Sequence, residues 1–250
     1  MTTVAIVVAI VALTLLAVRD PLEASHRAKA ARQLAAGESH QRAAVEARAA
    51  VSLDPGRGEY WNELGLAQLR TGDLAEGAES FREAWRRTPY QVTYALNLVR
   101  AQLSLAGKGD RRARSGALDT SRVAKALDPY VNDVYYMLTL AEAANGNHDE
   151  TIAAAERLLE FGGTADALIT ETAAGAYIAA ERPGDAERWI RRIVPGDGPN
   201  NPRLRVVLAR ALAAQGRIAE ALHQADLALQ ADPTNEAAQR LRTELSRRSQ

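Results

Sequence analysis

Proline steps recur along this chain at nearly even intervals, and a period constrains a fold more than any single motif does. Pro55 and Pro89 lie 34 residues apart, Pro89 and Pro129 lie 40 apart, and Pro129 and Pro233 lie 104 apart. Allowing one insertion of six residues, this is a repeat of 34 running through residues 24–235. The units read as 24–57, 58–91, 92–131, 132–166, 167–201 and 202–235, within a repeat region of 20–235. Residues 236–250 read as a capping helix with Ala237, Ala238, Leu241 and Leu245 on one side. A unit this short cannot bury its apolar face alone, so the units must stack and the stack needs a polar end.

The residues inside a unit say what kind of element repeats. The second unit carries Trp61-x-x-Leu64-Gly65, Gly72-Asp73-Leu74, Phe81, Ala84 and Pro89. The last carries Leu208-Ala209, Gly216-Arg217, Ala221, Ala225, Ala228 and Asp232-Pro233. Small residues at helical spacing let two helices approach closely, while Trp61, Leu64 and Phe81 fill the space beside them. Gly72 and Gly216 stand where a first helix stops, and the prolines stand where a second cannot continue. Composition agrees: about a fifth of the residues are Ala and only 5% are aromatic. This pattern resembles the tetratricopeptide repeat over most of the chain. The resemblance implies an all-α solenoid, a right-handed superhelix of helix pairs. Some units depart from it. Gly37 sits one place early in the first. An insertion near Gly107–Arg112 suggests an extended turn in the third. Thr151 and Gly163 replace Ala and Pro in the fourth, and the fifth runs into the loop Pro195–Pro202.

The N-terminus is a different object. Val4 to Val18 is apolar except for Thr14, and no charged side chain occurs before Arg19. Eighteen helical residues rise about 27 Å, just short of a hydrocarbon core of about 30 Å. Residues 1–19 are therefore expected to form a single transmembrane anchor. Two readings compete with it. A cleaved leader would need a basic start and a nearer small-x-small site than Ala28-Lys29-Ala30, and a core helix would not be apolar on all faces. Arg19, Arg27, Lys29 and Arg32 follow the run, which favours a cytoplasmic solenoid under the positive-inside rule.

Chemistry is excluded more easily than it is found. With no Cys, disulfides, zinc thiolates and thiol catalysis are absent. Thirty-one basic residues balance 31 acidic ones, which argues against nucleic acid as a partner. His148-Asp149-Glu150 lacks the paired-histidine spacing of a helical zinc site, Gly107-Lys-Gly-Asp is not a phosphate loop, and no nucleophile elbow occurs. The paired arginines Arg86-Arg87, Arg111-Arg112, Arg191-Arg192 and Arg247-Arg248 read as solvated faces. No catalytic residue, metal or cofactor is expected.

Binding remains. The resemblance places recurring positions of each first helix on a concave groove. The candidates are Asn62, Leu66, Arg70, Leu96, Arg100, Tyr136 and Leu140, an apolar strip with polar anchors for an extended peptide or partner helix. The leucines would equally suit packing between units. Family members that grip chaperone carboxylate tails use a Lys/Asn clamp, and only Asn62 and Asn97 echo it, so that ligand is rejected. Two classes of function follow. One is a membrane-anchored scaffold that assembles or recruits a bacterial envelope or membrane complex. The other rests on a looser resemblance, carried by the apolar span, the repeats and the stretch Tyr94–Arg100 before the insertion. It makes the chain the C-terminal part of an O-antigen ligase or polymerase-like enzyme, supplying binding and not catalysis.

Overall fold

The computed structural model describes residues 2–193 and 201–248, residues 2–18 by their backbone alone. Among them it contains thirteen α-helices and no strand. The chain divides into two units, Met1–Leu127 and Asp128–Gln250.

The first unit holds three helix pairs. These are α1 (Thr2–Ala36) with α2 (His40–Leu53), α3 (Gly58–Thr71) with α4 (Leu74–Arg87), and α5 (Val92–Gly107) with α6 (Arg111–Leu127). Each helix packs on the next, and the first helices of successive pairs also touch. Turns of a few residues force neighbours to run antiparallel, so α1, α3 and α5 point the same way. Small residues do the joining. Ala24, Ala28 and Ala31 of α1 are buried with Ala47 and Ala50 of α2. A Cβ on Gly65 would lie 2.8 Å from the Phe81 ring, and one on Gly77 would lie 3.3 Å from the Gly65 carbonyl oxygen, so α3 and α4 touch almost backbone to backbone.

Turn chemistry recurs from pair to pair. Gly72, Gly109, Gly146 and Gly216 all take positive φ directly after a first helix. In the α1–α2 turn that role falls to Glu38, at φ 60°, and not to the neighbouring Gly37. A residue with a Cβ pays about 1 kcal/mol there.

The insertion does not form the extended turn the sequence suggested. The α5–α6 connection is only Lys108–Asp110. The extra residues lengthen the helices to 16 and 17. The cause is local: Ala101, Ala106, Ala113 and Ala117 keep the buried pattern running, and Asp110 Oδ1 caps α6 by accepting from the Ala113 amide at 2.9 Å.

The second unit contains α7 (Asn132–Ala144), α8 (His148–Glu160), α9 (Ala167–Ala179), α10 (Pro183–Ile193), α11 (Pro202–Ala214), α12 (Ile218–Ala231) and α13 (Glu236–Arg248). His148, Asp149 and Glu150 are the first turn of α8, where the acids face the positive end of the helix dipole. The last helix buries Ala238, Leu241 and Leu245 against the preceding pair.

Among the residues searched, no helix is long and apolar enough to cross a membrane. The expected anchor, residues 1–19, lies outside the residues whose side chains are described, except for exposed Arg19. Its backbone is part of α1, which runs unbroken through Pro21. A proline there removes one intrahelical bond.

Candidate functional site

In the first unit the expected groove residues separate into two groups. Asn62 and Leu96 are buried. The Asn97 amide donates to Asn62 Oδ1 at 2.8 Å, and Arg100 donates to Asn97 Oδ1 at 3.1 Å. The Asn62–Asn97 bond ties α3 to α5, whereas Arg100 is exposed and its bond to Asn97 lies within α5. Leu66 is half-buried beside Ala78, Phe81, Leu98 and Ala101. Leu66 and exposed Arg70 do meet, at a cavity of about 300 Å³ also lined by Ala31, Ala35 and Arg32 of α1 and by Glu63. Burial raises the Glu63 carboxyl above its ordinary range, and Arg32, 3.9 Å away, opposes that. Arg32 sits closer to Glu59, at 2.7 Å.

In the second unit Tyr136 is half-buried and its hydroxyl donates to Asp166 Oδ2 at 2.9 Å. The other oxygen of Asp166 caps α9 by accepting from the Ile169 amide, also at 2.9 Å. Tyr136 thus braces a helix terminus. Leu140 is half-buried.

A larger groove lies between α9 and α11, where none of the expected residues sit. It encloses about 660 Å³, with Leu168, Glu171 and Gly175 on one side and Arg203, Val207 and Arg210 on the other. Gly175, Ala176 and Ala179 are among its lining, and a Cβ added at Gly175 would meet nothing within 4 Å. Leu168 is 49% exposed. Arg203 and Arg210 are exposed and make no ion pair among the described residues. They stand seven residues apart on α11, about 10 Å along the axis. Part of the signal was present in the sequence: Glu171, Gly175 and Arg210 occupy the same repeat positions that nominated Asn62 and Leu66, whereas Leu168 and Arg203 stand where the second unit has Glu59.

The charges of a cluster elsewhere in the unit are paired with one another, although the buried Trp189 Nε1 beside them has no hydrogen-bond partner among the described residues. Glu156 accepts from the Tyr177 hydroxyl at 2.9 Å and from Arg192 at 2.6 Å. Burial, and then that bond, push Tyr177 up to about 12. Arg192 and Arg182 stack over Trp189 and Tyr177. These groups hold α8, α9 and α10 together. Among the described residues, no group of three His, Asp or Glu side chains could hold a metal.

Stacked helix pairs with an open groove between their first helices define an α-solenoid. Models of the tetratricopeptide repeat match residues 12–92 and 196–245, together just over half the chain. The chain belongs to the tetratricopeptide-repeat family, whose members typically are non-catalytic scaffolds that bind protein partners. No curated protein matches the sequence. Solved structures share the fold at low identity. PilF from Pseudomonas aeruginosa is 14% identical, with a TM-score of 0.69 over 90% of this chain and 99% of that one. PilW, a type IV pilus biogenesis factor, is 18% identical, with a TM-score of 0.68 over 87% and 97%. A tetratricopeptide repeat protein from Parabacteroides merdae is 14% identical, with a TM-score of 0.59 over 90% and 85%.

Proposed function

We propose that this chain is a single-pass, membrane-anchored scaffold that recruits a protein partner into an assembly of the bacterial envelope or membrane. Residues 1–19 are the anchor, and the flanking arginines favour a cytoplasmic solenoid. The observation that carries the binding role is the groove between α9 and α11. It has open space at Gly175 and two arginines without ion-pair partners among the described residues. An extended peptide or a helix fits such a groove, with its polar groups against Arg203, Arg210 and Glu171. Leu66 and Arg70 offer a smaller contact at the cavity between α1 and α3. PilW, a type IV pilus biogenesis factor, has the same kind of fold.

The ligase reading has less to rest on, because the extended turn is absent and no residue of a glycosyl-transfer site is carried across.

The test is photo-crosslinking in cells from a residue placed at Gly175, read by mass spectrometry. Arg203→Glu with Arg210→Glu is expected to abolish the crosslinked partner without changing helicity or melting temperature. An unchanged set of crosslinks would sink the groove assignment. Deleting residues 1–18 is expected to release the chain from the membrane fraction, and continued sedimentation with membranes would sink the anchor.

A further inference from the structure

We propose that the end of the first unit carrying the α2–α3 and α4–α5 turns rests in the lipid headgroup layer, through Trp61, Trp85 and Tyr90. The inference deepens the anchor reading and depends on it. It starts from the continuity of α1, one helix of 35 residues with no linker between the apolar run and the packed segment. The ion pair between Arg27 and Glu46, at 3.0 Å, marks the antiparallel register of α1 against α2. Counting outward by seven from each partner places Leu53, the last residue of α2, opposite Asp20. The turn that follows, 54–57, is therefore level with the end of the apolar run at Val18. A headgroup layer is about 5–8 Å thick on each face, so a turn at that level lies inside it.

The next turn is bound to the first one. Arg87 of α4 donates to the Pro55 carbonyl and stacks 4.7 Å from the centre of the Trp61 ring. Trp61 itself donates to the Pro55 carbonyl at 2.9 Å, and Trp85 donates to the Pro89 carbonyl at 2.9 Å. Tyr90 projects beyond them, 77% exposed, and Leu22 on α1 is 57% exposed. Trp61 and Trp85, each half-buried against the core of its pair, and exposed Tyr90 thus sit at the end from which the anchor emerges. Indole and phenol rings favour the membrane–water boundary, where an apolar body and a polar tip are both satisfied. Charge adds little. Arg57 is paired with Asp54, and Arg86 with Glu83 at 2.8 Å. The contact is therefore one of rings with lipid, and its strength is expected to change little with salt.

The experiment uses the full chain in phosphatidylcholine vesicles containing a headgroup-spin-labelled lipid. With no native Cys, Gln91→Cys and Lys108→Cys each carry a single fluorophore, at opposite ends of α5. Quenching at 91 is expected to exceed that at 108 several-fold, to persist in high salt, and to fall when Tyr90→Ser is added. Equal quenching at the two sites, or quenching lost in salt, would overturn the contact. So would flotation of the chain with the vesicles and no quenching at 91. Failure of the chain to float with the vesicles would overturn the anchor and the contact together.

Discussion

Gly65 and Gly175 provide a matched test of whether backbone approach, and not helix propensity, selects small residues here. Both lie inside first helices of a pair, and neither has positive φ. Replacing an interior glycine by alanine stabilises a helix by about 1 kcal/mol. At Gly175 nothing opposes that gain, since the added Cβ meets open space. At Gly65 the Cβ arrives 2.8 Å from two atoms of the Phe81 ring. Phe81 is fully buried with Ala78, Leu98 and Ala101, so the ring has no free volume to enter. Overpacking of that kind costs about 1–3 kcal/mol, which cancels or exceeds the propensity gain. Gly175→Ala should raise the melting temperature by about 2–4 °C, and Gly65→Ala should lower it or leave it unchanged. Circular dichroism gives the global transition, while Trp61 and Trp85 emission reports the first unit and Trp189 the second. Adding Phe81→Leu to Gly65→Ala should recover part of the loss, measured as a coupling in a double-mutant cycle. The reasoning fails if Gly65→Ala gains the same full increment as Gly175→Ala, because the ring would then be free to move.

Glu38→Gly should stabilise the α1–α2 turn by about 1 kcal/mol in thermal unfolding, since Glu38 holds a left-handed conformation that glycine takes at no cost. Asp166→Ala should cost about 1–2 kcal/mol by removing the cap of α9, and Tyr136→Phe should cost less because the cap survives. Burial pushes Glu187 up, but bonds from Gln215 and Arg191 and the charge of Arg217 outweigh it and hold the carboxyl below its ordinary range. Its stabilising share is therefore full above the unfolded value near 4.3 and is lost as pH falls through the lower folded value. Denaturant titrations should accordingly show Glu187→Gln destabilising at pH 7 and neutral near pH 2. Glu63, raised by burial, should behave oppositely: Glu63→Gln should be neutral or stabilising at pH 7, with its advantage fading as acid protonates the parent.

The contrast between what was legible in the sequence and what was not has one physical source. The helix-pair fold was readable because its determinants repeat: Ala31, Ala47, Ala84 and Ala228 are buried for the same reason in different pairs, and Gly72 and Gly216 turn the chain in the same way. Repetition lets weak preferences accumulate into a clear pattern. A binding site is the opposite case, since it lies where a unit deviates from the pattern. Position rules alone say that Asn62 and Arg210 line a groove, not which of them is free to bind. Asn62 is spent because another amide, Asn97, happens to face it 35 residues on. Arg203 and Arg210 remain available because Glu171, which lines the same groove from α9, forms no ion pair with either of them among the described residues. What decides is the identity of the residue opposite, one helix away. The insertion misled for a related reason. Its length marked a departure, but the apolar positions on either side of Lys108–Asp110 still obeyed the helical period, and burial follows that period whatever the length between prolines. The groove is thus best sought where α9 and α11 carry facing positions that do not satisfy each other, since only those side chains still have bonds to give a partner.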